Sequence, residues 1–152
     1  MNVNALFDQF SKQRILVIGD VMIDAYLRGD VSRVSPEAPV PIVNLKKSED
    51  RLGGAANVAL NLLSLGAKPI LCAVVGKDKG GQTFFDLLEK RGLDSSGIIS
   101  SSERFTTIKT RVIGNNQHLL RIDEEEETAI NALLEDELIN RVHKIISSGV
   151  DA

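Results

Sequence analysis

Residues 52–76, LGGAANVALNLLSLGAKPILCAVVG, carry the pattern on which the fold turns. Gly53-Gly54 is a bend that opens a helix. The helix runs to Leu65 and stops at Gly66, a residue suited to the left-handed backbone of a helix C-terminus. Ala55, Val58, Ala59, Leu62 and Leu63 form its expected apolar stripe. Pro69 to Val75 is then a short β-branched run, the mark of a buried strand. Working outward, Arg14 to Gly19 (RILVIG) is a similar run and predicts an earlier buried strand. On the other side, Lys79 to Arg91 predicts a helix with Phe84, Leu87 and Leu88 inward and Gly92 as its stop. Strand, helix, strand, helix in this rhythm predicts an α/β domain with a parallel sheet and right-handed crossovers.

The flanks are less regular. Met1 to Lys12 predicts a short helix with Leu6 and Phe10 on one face. Residues 36–41 hold three of the four prolines and read as extended backbone, followed by a strand over Val40 to Leu45. Ile98-Ile99 suggests a short strand. Phe105 to Ile113 alternates, with Thr107, Lys109 and Arg111 on one side and Ile108 and Val112 on the other. Gly114-Asn115-Asn116 is a turn, and Gln117 to Ile122 returns with Leu120 and Ile122 on its apolar face. This hairpin is expected to pair with the 40–45 strand. A last helix over Ala129 to Ser147 carries Ile130, Leu134, Leu138, Val142 and Ile145. Gly149 to Ala152 reads as a turn toward a further strand.

Of 152 residues, 43% are apolar and 26% charged, with a formal charge of −3, which is ordinary globular composition. No apolar run is long enough to span a membrane, and the N-terminus lacks the features of a secretory signal. The single Cys72 lies in an apolar run and fits a buried position in a reducing cytoplasm. Residues 1–122 carry 16 basic and 12 acidic side chains, and residues 123–152 carry 2 and 9. A mildly basic lobe suits a small phosphorylated ligand. It lacks the dense basic patch and stacking aromatics of a nucleic-acid surface, since aromatics are 4% and Trp is absent. The acidic run Asp123 to Glu127 reads as the solvated start of the last helix. His118 and His143 have no partners at metal-ligand spacing, so no metal site is expected.

Three segments have the residue types that binding chemistry requires. Gly53-Gly54 lets a ligand approach the backbone, and Asn57 in the first turn donates to and accepts from hydroxyls. A plain strand-to-helix turn has the same spacing, which is neither a P-loop nor G-x-G-x-x-G. Gly19 to Asp24 leaves the C-terminal end of the first strand, the edge where open α/β sheets place ligands. Asp24 there can accept two hydroxyls, and a turn carboxylate capping its own backbone fits equally. Lys109, Arg111 and Asn116 lie along the hairpin, where paired cations suit an anion. An exposed strand face in plain solvent has the same pattern.

Taken together these stretches resemble the start of a ribokinase-type (PfkB) sugar kinase. The Gly-Gly-x-x-Asn opening, followed by Gly66 and Gly76, matches that family's first signature. GDVMIDAYLRGDVSRVSPEAPVPIV and TTIKTRVIGNNQHLLRIDEE narrow the resemblance to its heptose 7-phosphate kinases, because SPEAPVP and NNQHLLRID are not general to sugar kinases. The match covers essentially the whole chain and about the first half of such a domain.

The resemblance implies a Rossmann-like, ribokinase-like parallel sheet with a small β lid, built from segments about 26–46 and 97–123. It implies that residues 1–152 are the N-terminal part of one kinase domain. Asp24, Gly53, Gly54 and Asn57 match positions that hold sugar hydroxyls. Lys109, Arg111 and Asn116 sit in the lid segment, within reach of the sugar or its phosphate. The implied reaction moves the γ-phosphate of ATP to the anomeric hydroxyl of D-glycero-D-manno-heptose 7-phosphate, on the way to ADP-heptose. ATP and Mg2+ belong to the complete enzyme. The family's catalytic base and anion hole match nothing in this chain, so no catalytic residue is assigned and this stretch alone is expected to be inactive. A homodimer through lid strands or exposed sheet surface is expected. A binding or dimerisation module without chemistry, or a kinase for another sugar of the family, remains the alternative reading.

Overall fold

The computed structural model describes residues 3–152, apart from the side chains of residues 4–6. In chain order the elements are α1 (Val3–Phe10), β1 (Arg14–Ile18), β2 (Val21–Val34), β3 (Pro41–Gly54), α2 (Ala55–Ser64) and β4 (Lys68–Gly76). There follow α3 (Lys79–Arg91), β5 (Ile98–Ser101), β6 (Ile108–Gly114), β7 (Gln117–Glu124) and α4 (Ala132–Ser147). They build two sheets. The main sheet has the order β1-β4-β5 with both pairs parallel, as the alternating pattern predicts. The second sheet, the lid, has the order β3-β2-β6-β7.

The β4 strand is central and buried, with Leu71, Cys72, Ala73 and Val75 almost wholly enclosed. β1 is half-buried, and Ile18 is 54% exposed, which corrects the expectation of a buried strand. It is an edge strand, so only one side has a strand beside it. Residues 151–152 run along its other side, with the Asp151 amide donating to the Arg14 carbonyl at 2.8 Å. The α2 stripe is also rotated by about one residue from expectation. Ala56 and Ala59 are fully buried, Leu60 and Leu63 pack beside them, and Val58 faces out. The segment is apolar nearly all round, so its periodicity could not set the phase. The two alanines let the helix lie close on β4.

α3 and its stop agree with the sequence reading. Asp78 caps it by accepting from the Gly81 amide at 2.7 Å, and Gly92 has φ 70°. α4 begins three residues later than expected, capped by Asn131 Oδ1 on the Leu134 amide at 2.9 Å. The acidic run does not enter that helix. Asp123 and Glu124 complete β7, and Asp123 and Glu125 clasp Lys109 instead. The expected helix at the N-terminus is present over Val3–Phe10, while the Leu6 side chain and residues 1–2 lie outside the described part.

The lid differs most from expectation. β2 and β3 are each 14 residues long and form one antiparallel hairpin from Val21↔Gly54 to Val34↔Pro41. The 40–45 segment is thus the far end of β3 and pairs with β2. The β6–β7 hairpin pairs in parallel with the opposite edge of β2, from Ile23↔Ile108 to Gly29↔Gly114. The local turn between β2 and β3 occupies one edge of β2, and only the other is free for β6. Ile98–Ser101 belongs to the main sheet, which removes residues 98–101 from the expected lid. The β6–β7 turn is carried by Asn115 and Asn116 at φ 50° and 64°, the backbone of a tight two-residue hairpin. Val21, Ile23 and Leu52 at the lid's root share one core with Leu71, Phe84 and Leu88, so lid and body are packed together there.

Candidate functional site

Alternation along the lid strands assembles one polar face. On β2, Met22, Asp24, Tyr26 and Arg28 point to the side opposite the buried Val21, Ile23 and Ala25. Register places Arg51 and Gly53 of β3 beside Asp24 and Met22, and Lys109 and Arg111 of β6 beside Asp24 and Tyr26. This face begins where β2 leaves the C-terminal end of β1. A cleft of about 590 Å³ opens at that edge, lined in part by Gly19, Asp20, Met22, Phe105 and Lys109.

Asp24 is the centre of the face. Its side chain is 22% exposed, and its Oδ1 accepts from Arg111 Nη1 at 2.5 Å. That bond holds the guanidinium still more firmly protonated than usual. Gly53 lies against the same carboxylate. A Cβ at residue 53 would stand 2.6 Å from Asp24 Oδ2 and 2.7 Å from Met22 Cγ. Gly54 has φ +59°, and a Cβ there would stand 2.4 Å from the Asp20 carbonyl oxygen. That oxygen accepts from the Ala55 amide at 2.8 Å, which ties the start of α2 to the end of β1. Asn57 is exposed in the first turn of α2, three residues past the bend, and its side chain makes no hydrogen bond among the described residues. The diglycine and the acid therefore lie together at one corner, and Asn57 stands three residues further along α2.

The three lid residues behave differently. Arg111 is drawn into the corner by Asp24. Lys109 is 16% exposed and engaged by Glu125 Oε2 at 2.5 Å and Asp123 Oδ2 at 3.2 Å. The Glu125 bond is the larger reason that its ammonium is held above its ordinary pKa. Asp123 is held low, chiefly by Arg121 at 2.8 Å and then by Lys109. Asn116 sits at the hairpin tip beyond Gly114, about 17 Å along the strand from the level of Lys109, so the fold does not bring it to Asp24.

The face also contains groups that the sequence reading passed over. Tyr26 has the guanidinium carbons of Arg51, Arg28 and Arg111 at 4.9, 5.3 and 5.4 Å from its ring centroid. Glu49 bridges Arg51 at 2.8 Å and Lys47 at 3.0 Å, and these two cations hold its carboxyl at about 2. The i, i+2 spacing of Asp24, Tyr26 and Arg28 is the available signal, hidden because residues 21–34 do not read as one continuous strand.

A second polar knot fixes the lid to the body. The Asp78 carboxylate accepts from the Gly81 amide, the Thr106 amide at 2.7 Å and the Thr106 hydroxyl at 2.8 Å. The same hydroxyl oxygen accepts from the Gly76 amide at 3.0 Å. Burial alone would raise the Asp78 pKa, but these donors together hold it below its ordinary value.

Comparison with known proteins agrees with this architecture. Residues 12–151 match the model of the pfkB family carbohydrate kinases, and the chain belongs to that family. It is 50% identical over 128 residues to the bifunctional protein HldE of Helicobacter pylori strain HPAG1, and 44% identical over 133 residues to HldE of Helicobacter hepaticus. These alignments cover 84% and 88% of this chain and 28% of each relative, so the chain spans little more than a quarter of their length. Among solved structures, a putative ribokinase from Agrobacterium tumefaciens superposes with a TM-score of 0.60 at 20% identity, covering 82% of this chain and 41% of that one. A fructokinase from Xylella fastidiosa with bound ATP gives 0.54 at 22% identity, covering 74% and 33%. The fold is thus ribokinase-like.

Proposed function

We propose that this member of the pfkB family is the sugar-binding and lid part of a kinase that phosphorylates the anomeric hydroxyl of D-glycero-D-manno-heptose 7-phosphate. The observation that carries the reading is the seating of Asp24 on Gly53. A carboxylate fixed by Arg111, over a backbone with no side chain in the way, offers acceptors to neighbouring hydroxyls of a sugar lying on the strand. Gly53 and Gly54 admit the sugar to the backbone, and Asn57 adds a donor and an acceptor from α2. Identity near 50% with the HldE proteins supports a heptose substrate over other sugars of the family.

Residues 1–152 then form the N-terminal portion of a longer kinase domain. The resemblance makes ATP and Mg2+ the co-substrate and its ion in that whole. Among the described residues no three His, Cys, Asp or Glu side chains converge as a metal site requires, and no P-loop or G-x-G-x-x-G spacing occurs. Because the family's catalytic base and anion hole match nothing in this chain, no step of phosphoryl transfer is assigned to its residues. Their part is to bind and orient the acceptor. No described helix is long and apolar enough to cross a membrane, and a cytoplasmic sugar-phosphate pool is the natural setting for this chemistry.

A coupled assay of ATP turnover, on the protein extended past Ala152, tests the reading. Turnover should depend on heptose 7-phosphate and fall in the Asp24→Asn variant. Turnover with other sugars but none with heptose phosphate would reassign the substrate.

A second reading, a lid-mediated homodimer, rests on β7. All eight of its residues are exposed at the free edge of the lid, Leu120 and Ile122 by about half. An unpaired edge beside uncovered apolar side chains is a pairing surface for a second copy.

A further inference from the structure

Three guanidinium groups around the Tyr26 ring are an unusual use of charge. Arg51 is offset by Glu49 and Arg111 by Asp24. Arg28 is only partly exposed and has no carboxylate partner among the described residues. With Lys47, this part of the face holds four cations against two acids, Asp24 and Glu49. The ring face attracts each guanidinium, yet two carboxylates offset only part of the repulsion among four cations, and Arg28 is left without a partner among the described residues. An anion placed among them would relieve it.

The geometry points to a phosphate monoester site formed by Arg28 and Arg51 over Tyr26, at the end of the sugar opposite the reacting hydroxyl. This rests on the sugar-kinase reading above for the identity of the ligand. Tyr26 follows Asp24 by two residues on the same face, a step of roughly 6.6 Å along the strand. That is about the reach from hydroxyls held at Asp24 to a phosphate on the far exocyclic carbon of the same sugar. Arginine forks donate two parallel hydrogen bonds to phosphate oxygens, which an ammonium cannot do. Lys109, the other cation near Asp24, is already held by two carboxylates. The Arg28–Arg51 pair thus makes the lid select a phosphorylated sugar over the free one.

Tyr26 is the single tyrosine and the chain has no tryptophan, so emission excited at wavelengths that phenylalanine does not absorb reports on this ring alone. Titrating the 152-residue chain with inorganic phosphate should give a saturable change in that emission. The response should be about tenfold or more weaker in Arg28→Met and in Arg51→Met, which keep the stems packed on the ring. Arg28→Lys should recover part of it, and circular dichroism of each variant confirms that it is folded. No saturable response in the parent chain, or equal affinity in folded variants, overturns the phosphate site. Titration with heptose 7-phosphate and with unphosphorylated heptose separates the two claims. If the parent prefers the phosphorylated sugar and the variants keep that preference, the sugar reading stands and this site falls. If phosphate binds through the arginines but neither sugar does, this site stands and the sugar reading falls.

Discussion

Gly53 lies directly against the carboxylate of Asp24, with room between them for no side-chain atom: a Cβ at residue 53 would stand 2.6 Å from Asp24 Oδ2. The two residues are 29 positions apart and meet diagonally across the β2–β3 pair, where Met22 opposes Gly53 and Arg51 opposes Asp24. The glycine thus leaves the acid its place, while Arg111 holds the carboxylate there.

Gly53→Ala should therefore push Asp24 and Met22 aside, at a cost of about 1–3 kcal/mol. Gly54→Ala should cost at least as much. Its obstacle is the Asp20 carbonyl at 2.4 Å, a backbone atom that cannot swing away, and its φ of +59° disfavours any side chain. Urea denaturation of the two variants checks the order.

Asp24→Asn keeps the shape of the corner but removes its charge and one acceptor. Affinity for heptose 7-phosphate should fall about tenfold or more, as expected for a lost charged hydrogen bond. Stability should fall by about 1–2 kcal/mol, because the Asp24–Arg111 pair is largely shielded from water while the amide keeps one acceptor for the guanidinium. Calorimetric titration and thermal unfolding on the same samples separate the two effects.

Asp78→Ala should destabilise the fold by roughly 2–3 kcal/mol, since it removes the α3 cap and the acceptor for Thr106 together. The pH dependence follows from the sign of its shift. Asp78 is held below its ordinary 3.8, so its contribution is complete above that value. It is lost as pH falls from there through the lower folded value. The difference in stability between the parent and Asp78→Asn should shrink over that acid range and be flat from pH 5 to 7.

Placing lysine at Leu120 and Ile122 tests the second copy at the lid edge. Light scattering should show a dimer for the parent chain and a monomer for Leu120→Lys/Ile122→Lys, with unchanged circular dichroism. A monomeric parent chain at micromolar concentration would remove that reading.

Cys72 is fully buried in β4, and burial pushes its thiol pKa up. Alkylation of the native chain should be slow and should become complete in denaturant.

Much of the body was legible in the residues. Gly66 and Gly92 mark the ends of α2 and α3 because each needs a positive φ that other residues resist, and both have it here. The run from Pro69 to Val75 is apolar at successive positions because β4 is covered on both faces. The corner around Asp24 was legible only in part. Asp24, Gly53, Gly54 and Arg111 stand out in the sequence, whereas Arg28 and Arg51, the other two arginines around Tyr26, do not. Their grouping depends on β2 and β3 remaining paired for 14 residues each, across a proline-rich turn that reads locally as extended backbone. Asn116 has the right chemistry at the wrong end of a strand, a distance that composition does not carry.

What the chain encodes locally is the alternation of strand and helix, the glycine stops and the alternating polar face of the hairpin. These arise from backbone sterics and side-chain periodicity within a few residues. Which edge of β2 receives β6, which face of α2 turns inward and which cations keep a carboxylate partner were settled by packing. Those outcomes depend on contacts between residues as far apart as Asp24 and Arg111, whose meeting lowers free energy only once the intervening strands are in register.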